Sequence, residues 1–384
     1  MNQLTRDFLL LTASGINRTP LEKERAAAMD LRALFKLSMH HSLTTVAASA
    51  LEAAGVQDAP FQQEKRREEL RLALMEHERL TVEKGLAAAK IWYMPLKGAL
   101  LKDCYPSAGM RQMSDVDILF DAAREDEIQA IMEKAGFTLL AMEASHHANY
   151  WKPPVTHVEM HRMLFSDLSD ERVFRYYEHV SERLLGEGEE KHFSREDFYL
   201  YMIAHEFKHF CWFGTGLRSL TDTYVYIRRY EKELDWDYIA AEARKIGIER
   251  YEKANRELAM QVFRTGQTDG LTRKQRALLE YYLTDRPYEV SKSQTREEIR
   301  KIGVGRYIWH RLFPPMIIVE YLYPFFYYHK ALLPFMPIWR ITQRVVKVLG
   351  LETEEQKENA FRKAEKWRLA REAVAGRKKR EKKD

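Results

Sequence analysis

Cysteine is scarce in this sequence, and the pattern of a secretion signal is missing. The 384 residues include two cysteines, Cys104 and Cys211. These are too few for a disulfide framework, so we expect the protein to work in a reducing compartment. The segment from Met1 to Asp7 does not show the basic-then-apolar order of a signal peptide. Together these features predict a cytoplasmic protein.

An excess of charge of one sign is also lacking. The chain has 62 lysines and arginines against 57 aspartates and glutamates, a net charge of +5. Much of this excess lies in the basic run after residue 372, which is typical of a solvated helix end. The weak basic balance argues against long nucleic acid as a partner. With 45% hydrophobic residues the chain is expected to be globular, and its length allows two or three domains.

The most apolar segment, residues 312–341, is too broken to span a membrane. It is rich in aromatic residues but contains five prolines, together with Glu320 and Lys330. A spanning helix needs about 20 mostly apolar residues without such breaks. We therefore expect short helices that pack on the body of the protein. Peripheral membrane contact through this segment is the alternative, because basic residues flank the aromatic side chains.

Four regions follow one another along the chain. They are a helical region (1–85), a region with strand signals (86–185), a second helical region (186–310), and the aromatic segment with a basic helical tail (311–384). Strands are expected over 91–94, 116–120 and 155–161, and a helix over 125–135 that ends at Gly136. A break between helices is expected at Gly214-Thr215-Gly216. This pattern predicts an α+β fold, a small sheet with helices inside a mostly helical chain.

Two aspartates stand at the start of the second predicted strand. Asp115 and Asp117 lie two residues apart, so their side chains point to one face of the strand. Two such carboxylates repel each other unless a cation lies between them. Magnesium prefers oxygen ligands and retains phosphate oxygens in its shell. The pair is therefore a candidate metal site for phosphoryl or nucleotidyl transfer.

The residues around this pair resemble those of a known superfamily. The matching positions, in chain order, are Lys97-Gly98, Tyr105-Pro106, Arg111, Ser114, Asp115, Asp117 and Glu159-x-His161. This pattern resembles the nucleotidyltransferases typified by DNA polymerase β, and more closely a bacterial branch of uncharacterised nucleotidyltransferases. The motif-bearing resemblance covers roughly residues 90–225.

The resemblance implies a fold, a reaction and a set of site residues. The fold would be a polymerase β-like core with a small mixed sheet. The enzyme would transfer a nucleoside monophosphate from a nucleoside triphosphate to a hydroxyl-bearing acceptor, a small molecule or a protein, with release of pyrophosphate. Asp115, Asp117 and Glu159 would be catalytic and would hold Mg²⁺ or Mn²⁺. The nucleotide would be bound by Lys97, Gly98, Arg111 and Ser114.

A second motif competes with this interpretation. His205-Glu206-Phe207-Lys208-His209 matches His-Glu-x-x-His, with both histidines on one helical face as a zinc hydrolase requires. In the bacterial branch this place carries a Lys-His pair, a glycine-rich turn and Leu-Arg-x-x-x-Asp, which covers more of the residues present here. The resemblance thus gives as substrate or phosphate contacts His205, Lys208, His209, Arg218 and Asp222. A zinc hydrolase and a non-catalytic binding relative remain the alternatives.

Several of these residues also have a purely structural interpretation. Arg111 could pair with Asp115 or Asp117, and Arg218 with Asp222 at i and i+4. A metal site of His157, Glu159 and His161 is an alternative to the three carboxylates. His146 and His147 are expected in a loop and are given no role.

Overall fold

The computed structural model describes residues 1–107, 109–142, 147–166, 170–212, 215–284, 305, 312–314 and 316–348. Contacts divide the chain into two compact units, Met1–Gln294 and Thr295–Asp384. The predicted basic tail and His146 lie outside the described residues.

One five-stranded mixed sheet forms the centre of the first unit. Its strands are β1 (Tyr93–Pro95), β2 (Val116–Phe120), β3 (Thr138–Met142), β4 (His147–Lys152) and β5 (Thr156–His161). The order across the sheet is β1-β2-β5-β4-β3, and β2 and β5 are parallel while the other neighbours are antiparallel. The predicted small sheet is confirmed. The expectation that His147 lies in a loop is wrong, because His147 begins β4 and pairs with His161.

Helices make up most of the remaining described chain, as predicted. The α-helices are α1 (Gln3–Asn17), α2 (Lys23–Ala27), α3 (Leu31–His40), α4 (Thr44–Ala53), α5 (Ala59–Ala88), α6 (Gly98–Leu101), α7 (Glu125–Lys134), α8 (Glu171–Tyr177), α9 (Arg195–Trp212), α10 (Leu217–Tyr230), α11 (Trp236–Ile246), α12 (Glu249–Thr265), α13 (Arg273–Thr284), α14 (Met316–Leu322), α15 (Pro324–Tyr328) and α16 (Met336–Val348). The helix predicted over 125–135 is α7. Gly136 ends it with φ +84°, a conformation that glycine adopts without strain. The predicted break after α9 is confirmed, with Gly214 itself outside the described residues.

The sheet has one apolar face and one polar face, because side chains alternate along each strand. The apolar face packs on α5 and α7 through a buried cluster that includes Val82, Leu86, Val116, Ile118, Ile128, Met132, Val158 and Met160. Burial of this face holds the strand register, since a shift by one residue would bring the charged side chains into the core. The opposite face carries Asp117 and Glu159.

The described part of the second unit is mostly helical, and the expectation that this segment packs on the body of the protein stays a prediction. Eight large apolar side chains there are exposed: Met316, Phe325, Tyr328, Leu332, Phe335, Ile338, Trp339 and Ile341. No helix in the described part of the chain has the length and apolar character needed to cross a membrane.

Candidate active site

Two carboxylates lie side by side on the polar face of the sheet. Asp117 on β2 is the register partner of Glu159 on β5, so both side chains project from the same face. Asp115 immediately precedes β2 and lies two residues before Asp117, so the alternation of side chains along the strand directs both to the same face. Asp117 is almost fully buried, with 3% of its surface exposed. The parallel pairing of two strands therefore creates a compact group of three acidic residues.

Two basic side chains partly neutralise this group. Nζ of Lys97 donates to Oδ1 of Asp117 at 2.7 Å, and Nε2 of His161 donates to the same oxygen at 2.8 Å. Nε2 of His161 is also 3.3 Å from Oε2 of Glu159. Burial alone would raise the pKa of Asp117, but Lys97 and His161 hold it well below its usual range. Asp117 is therefore ionised at neutral pH.

The pKa of Asp115 is shifted in the opposite direction to that of Asp117. Burial, and then the negative charge of Asp117, raise the pKa of Asp115 to about 6. The carboxyl group of Asp115 is thus only weakly stabilised as an anion by the residues around it. An added cation between Asp115 and Asp117 would relieve this repulsion.

Lys97 reaches Asp117 from a strained backbone conformation. Its φ is +42° and its ψ −108°, in a region that side chains other than glycine rarely adopt. The turn is fixed because the Leu96 N–H donates to the Asp117 carbonyl at 3.0 Å and the Leu101 N–H donates to the Lys97 carbonyl at 2.9 Å. The fold thus holds a strained residue whose ammonium group meets the buried carboxylate.

Gly98 is required by close packing rather than by its own φ. A Cβ atom at this position would lie 2.4 Å from Nη1 of Arg111 and 3.1 Å from the methyl carbon of Met113. The N–H groups of Ala99 and Leu100 donate within the turn, to the carbonyls of Leu96 and Lys97. These amides are therefore engaged in α6, a helix of one turn.

Arg111 forms a buried ion pair with the helical part of the first unit. Its Nε and Nη2 donate to the two carboxylate oxygens of Asp222 at 2.9 and 3.0 Å. The Tyr105 hydroxyl donates to the same aspartate at 2.8 Å. The alternative pairing of Arg111 with the strand aspartates is thus replaced by a link to α10.

Arg218 likewise contacts the strand-bearing region rather than Asp222. Its Nη1 donates to the carbonyl oxygen of Gln112 at 2.7 Å. The pairing of Arg218 with Asp222 considered from their spacing is not the one formed, because Arg111 supplies the two-pronged partner that a carboxylate prefers. Arg111 and Arg218 together join the sheet side of the site to α10.

A cleft connects most of the residues selected from the sequence. It is lined by Lys97, Gly98, Leu101, Arg111, Met113, Ser114, Asp115, Asp117, Met202, His205, Glu206, Arg218, Ser219 and Asp222. Lys208, His209 and Glu159 are not among the described residues that line it. The cavity volume is about 60 Å³, smaller than the roughly 300 Å³ of small ligand pockets. Binding of a nucleotide would therefore require lining side chains to move.

The comparisons with known proteins agree with this arrangement. A family model described as "uncharacterised nucleotidyltransferase" matches residues 27–264. The chain belongs to this nucleotidyltransferase family. No curated protein and no solved structure matches the chain.

In this member of the family, the glutamate of the His-Glu-x-x-His motif is hydrogen-bonded within the helical core. Oε1 of Glu206 accepts from the hydroxyls of Tyr251 at 2.8 Å and Tyr282 at 2.6 Å. Its Oε2 accepts from Thr223 and Asn255, each at 3.3 Å. These bonds join α9 to α10, α12 and α13. A carboxylate bound in this way is poorly placed to activate a zinc-bound water.

The two histidines of the motif contact each other. Nε2 of His205 and Nε2 of His209 are 3.2 Å apart. Burial lowers the pKa of both rings well below the usual range, and the charges of Lys97 and Lys208 lower it further. Both histidines are therefore neutral, and Lys208 supplies the positive charge of this helix face.

Two histidines contact the carboxylates of the site: His161, which the sequence named as a motif position and as part of the alternative metal site, and His147, to which it gave no role. His161 contacts both Asp117 and Glu159, and Nε2 of His147 is 3.8 Å from Oε2 of Glu159. The signal for His161 was its position two residues after Glu159 on one strand. His157, in contrast, is exposed and packs against Trp151 with ring centroids 4.3 Å apart. The alternative metal site that includes His157 is therefore not assembled.

The donor atoms fit a divalent cation. Ligand atoms of Asp117, Glu159 and His161 lie within 4.8 Å of one another, and Asp115 adds a further carboxylate to the cleft. Carboxylate oxygens are the ligands that Mg²⁺ and Mn²⁺ prefer.

Proposed function

We propose that this protein transfers a nucleoside monophosphate from a nucleoside triphosphate to a hydroxyl group, with release of pyrophosphate. The observation that carries the proposal is the pairing of Asp117 with Glu159 on adjacent parallel strands, together with the position of Asp115 and Asp117 in the wall of the cleft. Membership of the nucleotidyltransferase family supports the reaction class. The acceptor would be a small molecule or a protein side chain, since the weak net charge disfavours long nucleic acid.

The carboxylates have a metal-binding role in this proposal. Asp115, Asp117 and Glu159 would hold Mg²⁺ or Mn²⁺, which supplies neutralisation of the triphosphate charge and of the departing pyrophosphate. The new bond forms between the acceptor oxygen and the α-phosphorus, and the bond from that phosphorus to the β-phosphate oxygen breaks. The hydroxyl proton passes to a carboxylate of the site.

Lys97 would change partner during binding. Its Nζ donates to Oδ1 of Asp117 at 2.7 Å, and its positive charge neutralises that carboxylate. A cation bound to Asp117 would repel this ammonium and release it toward the phosphates, where a lysine acts as a compact positive charge. The strained backbone of Lys97 supports a functional role, because strain of this kind is concentrated at active sites and at segments that switch between partners.

The opposite wall of the cleft supplies the remaining contacts. Arg218 and His205 line the cleft from α10 and α9. Arg218 is suited to phosphate because its planar head group can donate two parallel hydrogen bonds. Arg111, Asp222 and Ser114 would shape the nucleotide side of the site. Lys208, on the same helix as His205, would add attraction for an anionic substrate, and the neutral His209 beside it would offer a polar contact.

The test is incubation of the purified protein with each α-³²P-labelled triphosphate, Mg²⁺ or Mn²⁺, and a cell extract that supplies protein and small-molecule acceptors. We expect a labelled protein or a labelled small-molecule product. The pyrophosphate that is released should carry no label. Asp115→Asn should abolish the label, whereas Asp103→Asn should not, because the Asp103 side chain is 69% exposed. Equal activity of wild type and Asp115→Asn, or no transfer from any triphosphate, would contradict the proposal.

The zinc hydrolase alternative has weaker support. Glu206, its required base, is bound by two tyrosine hydroxyls in the helical core. Among the described residues, the group of three side chains that could hold a metal includes neither His205 nor His209. The non-catalytic alternative has no observation in its favour, since all three carboxylates are present.

A further inference from the structure

A histidine nitrogen lies beside the carboxylates of the site, and it has no role in a metal site built from oxygen ligands alone. His161 follows Glu159 by two positions on β5 and therefore projects from the same face. Its Nε2 lies 2.8 Å from Oδ1 of Asp117 and 3.3 Å from Oε2 of Glu159. The His161 side chain is 5% exposed. A buried imidazole nitrogen thus faces both carboxylates at once.

These separations match those of ligands around one metal ion. Neighbouring ligands in an octahedral site with bonds of about 2.1 Å are about 3.0 Å apart. The two distances from His161 bracket this value. A cation could therefore replace the proton between His161 and Asp117 with only small side-chain movements.

We propose that Asp117, Glu159 and His161 form a mixed oxygen and nitrogen site that prefers Mn²⁺ to Mg²⁺. Mg²⁺ demands oxygen ligands in near-ideal octahedral geometry, whereas an imidazole nitrogen favours first-row transition ions. This inference rests on the proposed function in one respect, since Asp117 is common to this site and to the pair with Asp115. Its new content is that His161 is a metal ligand and sets the metal preference.

The first experiment measures metal binding by the full chain without nucleotide. Calorimetric titration of the wild type should give a dissociation constant for Mn²⁺ at least about tenfold lower than for Mg²⁺. His161→Gln keeps a polar side chain of similar reach but removes the imidazole. It should weaken Mn²⁺ binding about tenfold or more and change Mg²⁺ binding much less.

The matched control is His157→Gln. His157 lies on the same strand but is exposed and packs against Trp151, so this change should leave both affinities unaltered. An unchanged ratio of Mn²⁺ to Mg²⁺ affinity in His161→Gln would overturn the inference.

A second measurement uses only the wild type, in case His161→Gln does not fold. Pulsed electron paramagnetic resonance of bound Mn²⁺ should show modulation from a directly coordinated nitrogen, and its absence would overturn the inference. The outcome is separable from the proposed function because no nucleotide is present. Nitrogen coordination without nucleotidyl transfer would support the site and reject the function. Transfer without nitrogen coordination would do the reverse.

Discussion

At the scale of single residues, the two strand aspartates differ in how much they support the fold. Asp117 is buried and accepts from Lys97 and His161, whereas Asp115 is half-buried and its pKa is raised to about 6, by burial and then by the charge of Asp117. Loss of charge at Asp117 leaves the buried His161 and the partly buried Lys97 without an anion. Loss of charge at Asp115 removes a repulsion instead.

We therefore expect Asp115→Asn and Asp117→Asn both to lower nucleotidyl transfer by at least about 100-fold, with different effects on stability. Asp117→Asn should lower the free energy of unfolding by about 1–3 kcal/mol, and Asp115→Asn should leave it unchanged or raise it. Urea unfolding and the transfer assay measure the two effects. Equal destabilisation by both changes would contradict the electrostatic difference.

Glu206 gives a prediction of pH dependence. Burial raises the pKa of Glu206 to about 7, and the charge of Asp222 adds to this, although Tyr251 and Tyr282 donate to the carboxylate. The folded protein then binds a proton more tightly than the unfolded chain, whose glutamates titrate near 4.5. This contribution to stability is present below about pH 4.5 and is lost as the pH rises through about 7.

The free energy of unfolding of the wild type should consequently fall relative to that of Glu206→Gln between pH 5 and 8, by roughly 1–3 kcal/mol. Urea unfolding at several pH values measures the difference. Glu187→Gln, at an exposed position, is the control and should follow the wild type at every pH. A pH-independent difference for Glu206→Gln would show that this carboxyl group does not titrate in the window.

Some residues of the site could be predicted from the sequence, but some of their contacts could not. Asp115, Asp117 and Glu159 could be selected because strand alternation and motif order are local properties. The partner of Arg111 could not, since Asp222 is 111 positions away in the sequence. A pairing of this length depends on how α10 docks, and no local pattern encodes that.

At the scale of elements, the missed strands have a clear cause. β2 and β5 alternate apolar and polar residues, and both were predicted. β3 and β4 were not, because Thr138–Met142 is almost wholly apolar and His147–Lys152 mixes histidine, asparagine and aromatic residues. Their strand character comes from pairing with each other and with β5. Tertiary pairing overrides weak local propensity in such segments.

The turn between β1 and α6 gives a prediction at this scale. Gly98→Ala should displace Arg111, because the added Cβ would lie 2.4 Å from its Nη1. We expect a loss of about 1–3 kcal/mol in the free energy of unfolding and reduced transfer activity. Gly188→Ala is the matched control, since a Cβ there meets nothing within 4 Å. Thermal unfolding that shows equal effects for both changes would reject the packing argument.

The exposed apolar side chains of the second unit give another prediction. Residues 312–348 contain one acidic residue, Glu320, and four basic ones, Lys330, Arg340, Arg344 and Lys347. Aromatic side chains with a basic excess suit an anionic membrane surface. We therefore expect the full chain to co-sediment with vesicles that contain phosphatidylserine, and less so at high salt.

Serine at Phe335, Ile338 and Trp339, which are each 44–62% exposed, should reduce the bound fraction severalfold. Leu70→Ser, at a position 69% exposed in the first unit, is the control and should leave it unchanged. Equal binding of the two variants, or capture only by another protein, would reject the membrane as the partner.

At the scale of the whole molecule, the proposed site belongs to the first unit. Residues from Lys97 to Asp222 supply it, and the family match over 27–264 also lies within Met1–Gln294. The division into four regions remains a prediction. A chain that ends at Gln294 should fold and retain transfer activity within about twofold of the full chain. Circular dichroism and the transfer assay measure this, and loss of activity from a folded shortened chain would assign part of the site to the second unit.

The parallel pairing of β2 with β5 has a consequence for the order of folding. The β3–β4 and β4–β5 pairs join segments that are near neighbours in sequence. The β2–β5 pair joins distant ones, since Asp117 meets His161 across 44 positions. Contacts between distant segments carry a larger loop-closure entropy and form late. The proposed cation site is thus absent until the sheet is complete, so a bound metal would stabilise the native state alone. Metal occupancy would then serve as an internal reporter that the chain has reached its final topology.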